Sequence, residues 1–242
     1  MKFKVIHIRQ LAATLAVGLM VLIATGVGVY LDEYTSKSVS ASNLNGKTVV
    51  IDPGHGGFDS GASANGAVEK DINLEISKRL KEFIEGGGGA AYLTRDTDTD
   101  TADPNRSKGV TQKKSDLQMR KAAAEKYKAD IFVSVHVNKF PQAEYHGAQV
   151  FYDKDSAESK MLAEAIQQAI KDVIKDENNR TAKATGDSIF VINDNSVPSV
   201  LVECGFLSNS QEAELLKQPD YQKKTAEGIY KGILKYFENS NR

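Results

Sequence analysis

Thiol chemistry is almost absent from this chain, which has one cysteine, Cys204. A lone cysteine closes no internal disulfide and fits no Cys-based metal spacing. Its apolar neighbours Leu201 and Val202 mark it as a buried, inert thiol. There is no tryptophan, no internal repeat, and no low-complexity block beyond Gly86–Gly89. Neither sign of charge dominates: 31 Lys and Arg face 32 Asp and Glu. A nucleic-acid partner is therefore not expected, since it calls for a basic surplus or patch. What remains is an ordinary globular composition, 40% hydrophobic and 26% charged over 242 residues. That is enough chain for one domain with its own core, plus an appendage.

The only long apolar run lies at the N-terminus. Lys2, Lys4 and Arg9 precede an uncharged stretch from Leu11 to Leu31. A helix needs about 20 such residues to cross a bilayer, whereas a secretory signal has an apolar core of only about 7–15. Basic residues before the run, with Asp32 and Glu33 after it, keep the N-terminus in the cytoplasm and export the rest. The competing reading is a long signal peptide cut near Ser38–Ala41, which would give a secreted protein. Either way everything from about Ser42 onward is extracytoplasmic, and cytoplasmic substrates are excluded. The expected organisation is a basic segment over 1–10, an anchor over 11–31, a linker over 32–46 and a catalytic domain over 47–238.

Within the exported part, strand and helix patterns take turns. Lys47–Ile51 is rich in β-branched residues and stops at Asp52-Pro53-Gly54. Ile72, Ile76, Leu80, Phe83 and Ile84 then recur at helical spacing. Ala91–Thr94 is a strand, a polar loop spans Asp96–Ser115, and a helix follows around Leu117–Tyr127. Ile131–Val137, Gln149–Tyr152 and Ser199–Glu203 are further strands, and Met161–Ile170 and Ile229–Phe237 further helices. This alternation predicts one three-layer α/β domain with a mostly parallel, twisted sheet flanked by helices. In such sheets ligands bind beyond the carboxyl ends of the strands. His55, His136 and Glu203 all fall at such ends, far apart in sequence but gathered on one edge.

His55 sits in Asp52-Pro53-Gly54-His55-Gly56-Gly57, where glycines permit sharp turns and close approach. A phosphate loop would need a Lys-Ser/Thr pair or the spaced glycines of a dinucleotide site, and both are missing. His136 alone would read as a satisfied core histidine. A second histidine at the same edge favours a metal, because zinc takes imidazole nitrogens and carboxylate oxygens and, when catalytic, keeps a position open for water. Glu69 and Glu75 both qualify as a third ligand, and Glu69 lies at the helix start that faces the edge. Its plainer reading is favourable pairing with the helix dipole. Glu203 is either a general base with a tuned pKa or a structural carboxylate at the Gly205 turn. His146, in a loop, is a weaker candidate for substrate contact.

Four segments in order then resemble the zinc N-acetylmuramoyl-L-alanine amidase family, type 3. They are Val50–Gly57, Glu69-Lys70-Asp71, Ser134–Asn138 and Val202–Asn209, with Leu93-Thr94-Arg95 at a further strand end. The resemblance runs from about Lys47 to Phe237. It implies that one zinc ion is held by His55, Glu69 and His136, that Glu203 is the catalytic acid, and that peptidoglycan is the substrate. Asn138, Arg95 and His146 are the candidate substrate contacts. The short anchor, the lack of wall-binding repeats and Ser107–Val110 resemble the germination-specific amidases of spore-formers. In those, stem peptides are stripped from cortex muramic acid before it becomes muramic δ-lactam, and some members depend on an accessory protein. Two rivals share the same residues: a zinc peptidase acting within the stem peptide, and a peptidoglycan-binding module with a structural metal.

Overall fold

The computed structural model describes residues 44–175, 177–186 and 188–240. The anchor expected over 11–31 lies outside them. Among the described residues no helix is long and apolar enough to cross a membrane. The described residues start inside the expected linker, at Leu44. That side chain is buried in the core, and its N–H donates to the Gly87 carbonyl at 3.0 Å.

A six-stranded sheet organises the domain. Its strands are β1 (Thr48–Pro53), β4 (Ala90–Leu93), β5 (Ile131–Asn138), β6 (Gln149–Asp153), β7 (Lys183–Thr185) and β8 (Ser199–Phe206), in the order β4-β1-β5-β8-β6-β7. The first four run parallel. Strand β6 is antiparallel to β8 and parallel to β7, so the sheet is mostly parallel with a reversed margin. Helices α1 (Glu69–Gly86), α3 (Ala157–Ile174) and α5 (Pro219–Ser240) pack on one face, while α2 (Gln112–Lys126) packs on the other. A short helix α4 (Ser210–Leu216) links β8 to α5.

Burial on both faces explains the near-continuous apolar runs of β1, β5 and β8. Side chains alternate along each strand. Val49, Ile51, Val133, Val135, Val200 and Val202 enter the larger core, and Val50, Phe132 and Leu201 enter the smaller one beneath α2. The same alternation puts Asp52, Ser134, His136 and Glu203 on the α2 side. Polar residues are thus brought together by strand parity, on the face with less apolar cover.

Several boundaries differ from expectation for physical reasons. Helix α2 starts at Gln112, capped by the Thr111 hydroxyl accepting from Lys114 N–H at 3.2 Å. Its buried face is Ser115, Asp116, Arg120, Ala123 and Ala124, so apolar periodicity is faint there. The hairpin of β2 (Ser63–Ala64) and β3 (Ala67–Val68) turns on Asn65-Gly66, both at positive φ, the usual two-residue turn chemistry. Strands β5 and β8 run on past His136 and Glu203, and their pairing slips between His136 and Asn138. Such irregularities re-aim side chains near sites.

Candidate active site

The loop after β1 carries the first site residue. His55 has φ 63°, a left-handed conformation that costs free energy for a side chain with a Cβ and persists only where surroundings hold it. Two buried arginines do the holding. Arg120 donates to the His55 carbonyl at 2.6 Å and the Pro53 carbonyl at 2.7 Å. Arg95 donates to the Pro53 carbonyl at 2.9 Å, to Gly54 at 3.1 Å and to Lys70 at 2.8 Å. Arg95, expected to touch substrate, is 4% exposed. Its guanidinium braces this loop instead. Gly54 is required for another reason: a Cβ there would lie 2.2 Å from the His136 ring.

The imidazoles and Glu69 converge. His55 Nε2 is 3.2 Å and His136 Nδ1 2.9 Å from the same Glu69 oxygen, Oε1, and ligand atoms of all three residues lie within 4.8 Å of one another. The ring centroids are 4.9 Å apart, edge to face. The Glu69 carboxylate is fixed by N–H donation from Ala62 at 2.7 Å and Val137 at 3.2 Å. Glu75, the other candidate, pairs with Arg79 at 2.8 Å on the helix surface. Burial alone would raise the Glu69 pKa. The two histidines outweigh it and hold the carboxyl well below the usual range. Burial likewise works against a charged His55, but Glu69 and Asp59 together raise its pKa.

Behind His55 stands Asp59, which no sequence motif singles out. Its Oδ2 lies 2.8 Å from His55 Nδ1 and also meets Lys113. Burial opposes the charge, yet Lys113 and then His55 bring the Asp59 pKa down to about 2. An ionised carboxylate there favours a proton on Nδ1, so that a bound cation would meet the Nε2 lone pair. That is the supporting hydrogen bond metal-bound histidines characteristically make. A His four residues before an Asp in a Gly-rich loop was the available signal.

Glu203 lies directly across from His136 in the β5–β8 register. Its Oε2 is buried and has no hydrogen-bond partner among the described residues. Burial first, and the Glu69 charge second, push its pKa up to about 8. A carboxyl kept without a partner is expensive, and a pKa near neutrality suits a group that both takes and gives a proton. Cys204 beside it is buried and its thiol pKa is pushed up by the same desolvation, so it stays an inert thiol.

The donor set therefore fits a divalent cation of the zinc type. Two imidazoles and one carboxylate leave a further position open, and Glu203 supplies an acid that is not needed as a ligand. A cleft of about 210 Å³ opens over His55 and His136, walled by Leu117, Ile189 and Phe190. Of the remaining expected contacts, Asn138 lines a second cavity at the β6 side. His146 is exposed in the loop before β6, with Nδ1 3.2 Å from the Glu144 carbonyl.

Comparison with known proteins agrees with this geometry. The profile described as N-acetylmuramoyl-L-alanine amidase matches residues 49–235. The germination-specific N-acetylmuramoyl-L-alanine amidase of Bacillus subtilis is 38% identical over 195 residues, 80% of this chain and 81% of that one. The LytC amidase of the same organism is 36% identical over 79% of this chain but only 36% of its own length. Among solved structures, the CwlD amidase of Clostridioides difficile, determined in complex with the GerS lipoprotein, superposes with a TM-score of 0.75 at 43% identity, covering 80% of this chain and 99% of that one. The chain belongs to the N-acetylmuramoyl-L-alanine amidase family and is a peptidoglycan amidase.

Proposed function

We propose that this enzyme uses zinc to hydrolyse the amide between the lactyl group of N-acetylmuramic acid and L-alanine, and that it does so in the spore cortex. The observation that carries the chemistry is the convergence of His55, Glu69 and His136 beside the unpartnered Glu203 carboxyl. A zinc ion held by those three residues supplies Lewis acidity toward the lactyl carbonyl and toward water. Glu203 accepts the proton from the attacking water and returns it to the departing alanine nitrogen. Asp59 keeps His55 in the tautomer whose Nε2 faces the metal position. Arg95 and Arg120 hold the strained loop so that the His55 imidazole does not have to be ordered when substrate arrives.

The cortex assignment rests on the identity to the germination-specific relative. Freed of its peptides, cortex muramic acid is then open to conversion to muramic δ-lactam by a separate enzyme. Residues 11–31 serve as a single-pass anchor that holds the catalytic unit outside the cytoplasm, a reading supported by the run's length and its flanking charges. An accessory protein partner is proposed on the strength of the Clostridioides difficile relative, which was solved bound to a lipoprotein.

The test is mass spectrometry of peptidoglycan fragments after incubation with the full chain and zinc, with a chelator control. Release of intact stem peptides and peptide-free muramic acid, abolished by chelation, is the expected result. Stems cut internally would assign the site to a peptidase instead.

A further inference from the structure

Beyond the reaction centre, the β6 side of the site holds a second cavity of about 230 Å³. It is built from cations and aromatic rings. Arg180 stacks its guanidinium 4.6 Å from the Phe206 ring centroid and 5.6 Å from that of Tyr145. Its Nε donates to the His146 carbonyl at 3.0 Å and its Nη1 to Gln149 Oε1 at 3.3 Å. These contacts fix the guanidinium plane and leave Nη2 without a partner among the described residues. Lys183, on β7, lines the same cavity, and its Nζ makes no ion pair or hydrogen bond among the described residues. Two positive charges thus face one small cavity, and no carboxylate among the described residues pairs with either. A stacked, pre-oriented guanidinium is well suited to a planar anion such as a carboxylate.

We propose that this cavity is an anion subsite of the amidase and that it takes a free carboxylate of the stem peptide. The inference rests on the amidase reading, and two observations tie it to the scissile bond. Gln149, which Arg180 grips, lies directly opposite Glu203 in the β6–β8 register. Lys183 is two strand spacings from β8 and level with Leu201, two residues short of Glu203, which puts its backbone roughly 12 Å from that of Glu203. An extended peptide advances about 3.3–3.6 Å per residue, so the cations meet the third or fourth residue beyond the cut. Charge chemistry selects the peptide over the glycan. The N-acetylated sugars are neutral and the lactyl carboxyl is consumed in the scissile amide, so the anions of the substrate lie on the stem. The exposed rings of Phe140 and Tyr145, 5.5 Å apart, wall the cavity and lower the local dielectric around the pair.

The experiment compares kcat/KM of the full chain, with zinc, on two muramoyl-peptides that differ only in whether the stem carboxylates are free or converted to carboxamides. The wild type is expected to favour the free carboxylates by about tenfold or more, the worth of one charge-assisted hydrogen bond. Lys183→Gln and Arg180→Gln should each bring that ratio down toward unity. A ratio within one enzyme is insensitive to the fraction that folds, so a weakened Arg180→Gln variant remains informative. Equal cleavage of both substrates by the wild type would overturn the subsite, as would a preference that survives both substitutions. Cleavage of neither substrate, even with the proposed accessory lipoprotein added, would overturn the amidase reading itself, and the two failures are distinguishable.

Discussion

Two buried charge clusters lie either side of the His55 loop, and they are built on opposite principles. In the first, Arg120 bonds Asp52 at 2.8 Å and Asp116 at 2.8 Å, Asp52 also accepts from Thr94 at 2.6 Å and Ser134 at 2.7 Å, and Thr101 N–H donates to Asp116 at 2.7 Å. Nearly every lone pair is used. In the second, two imidazoles crowd one carboxylate oxygen and the neighbouring Glu203 oxygen has nothing. A closed network rigidifies. An incomplete one holds a free-energy cost that a ligand or a proton relieves. The difference separates support from chemistry more sharply than burial does, since Asp52 and Glu69 are both buried.

The largest effect should come from the open cluster. Glu203→Gln keeps shape and metal ligands but removes the proton carrier, and kcat is expected to fall by about 10²–10⁴ with zinc content unchanged. His136→Ala should instead lose the metal. Metal analysis beside single-turnover rates separates the two outcomes. Near-normal turnover in a zinc-loaded Glu203→Gln protein would remove Glu203 from the chemistry.

The closed cluster should fail differently. Arg120→Met leaves Asp52 and Asp116 as buried carboxylates without a counter-charge, a defect that typically costs about 3–5 kcal/mol. Denaturant unfolding of the metal-free protein reads this directly. A loss under ~1 kcal/mol would mean that the network behaves like an exposed ion pair.

The pH dependence of stability sharpens the contrast, because Asp52 in the first cluster and Glu203 in the second shift in opposite directions. Burial alone would raise the Asp52 pKa, but Arg120 holds it below the ordinary value. Its contribution is present above the unfolded pKa and is lost on acidification. Glu203, pushed up to about 8, binds its proton more tightly folded than unfolded. Its cost therefore appears as pH rises from about 4.5, the unfolded value, to about 8. His55, raised as well, adds stability at low pH that is lost as pH climbs through its folded pKa. The metal-free protein should lose stability across that window, on the order of a few kcal/mol, and Glu203→Gln should flatten most of the slope. A metal-free protein whose melting temperature is level from pH 5 to pH 8 would show that Glu203 is solvated rather than desolvated.

How much of this was legible in the chain follows from the kind of signal each element leaves. Strands β1, β5 and β8 are buried on both faces and wrote uninterrupted apolar runs. Their carboxyl ends pointed to one edge, and with them His55, His136 and Glu203. The first turns of α2 left no such trace, because Arg120 and Asp116 are buried there in place of apolar residues. Arg95 hides for the same reason: an arginine at a strand end reads as substrate-facing, whereas this one is taken up by the carbonyls of Pro53, Gly54, Lys70 and Thr97. Arg180 and Lys183 lie in and beside the short edge strand β7, whose three residues Lys183–Thr185 carry no periodicity. Asn65-Gly66 was a readable hairpin turn, but two-residue strands beside it gave no pattern to flank it.

The smallest effect tests the link between the clusters. Asp59 belongs to neither: it bonds His55 on one side and Lys113, from the first turn of α2, on the other. If it acts by fixing the His55 tautomer, Asp59→Asn removes charge while preserving size, and the amide can donate to Nδ1 as readily as accept from it. The wrong tautomer then puts a proton on the nitrogen that faces Glu69. Zinc affinity is expected to fall by about 10–100-fold, while the metal-free protein loses only the stability that the ionised Asp59 supplies above its lowered pKa. Competition against a chromogenic chelator measures the first, and thermal unfolding without metal the second. Lys113→Met gives the complementary test. It strips the outer partner but leaves the Asp59 carboxylate on His55, so its affinity loss should be smaller. If instead it equals that of Asp59→Asn, charge delivered from α2 is what holds His55, and the closed cluster's helix reaches into the open one.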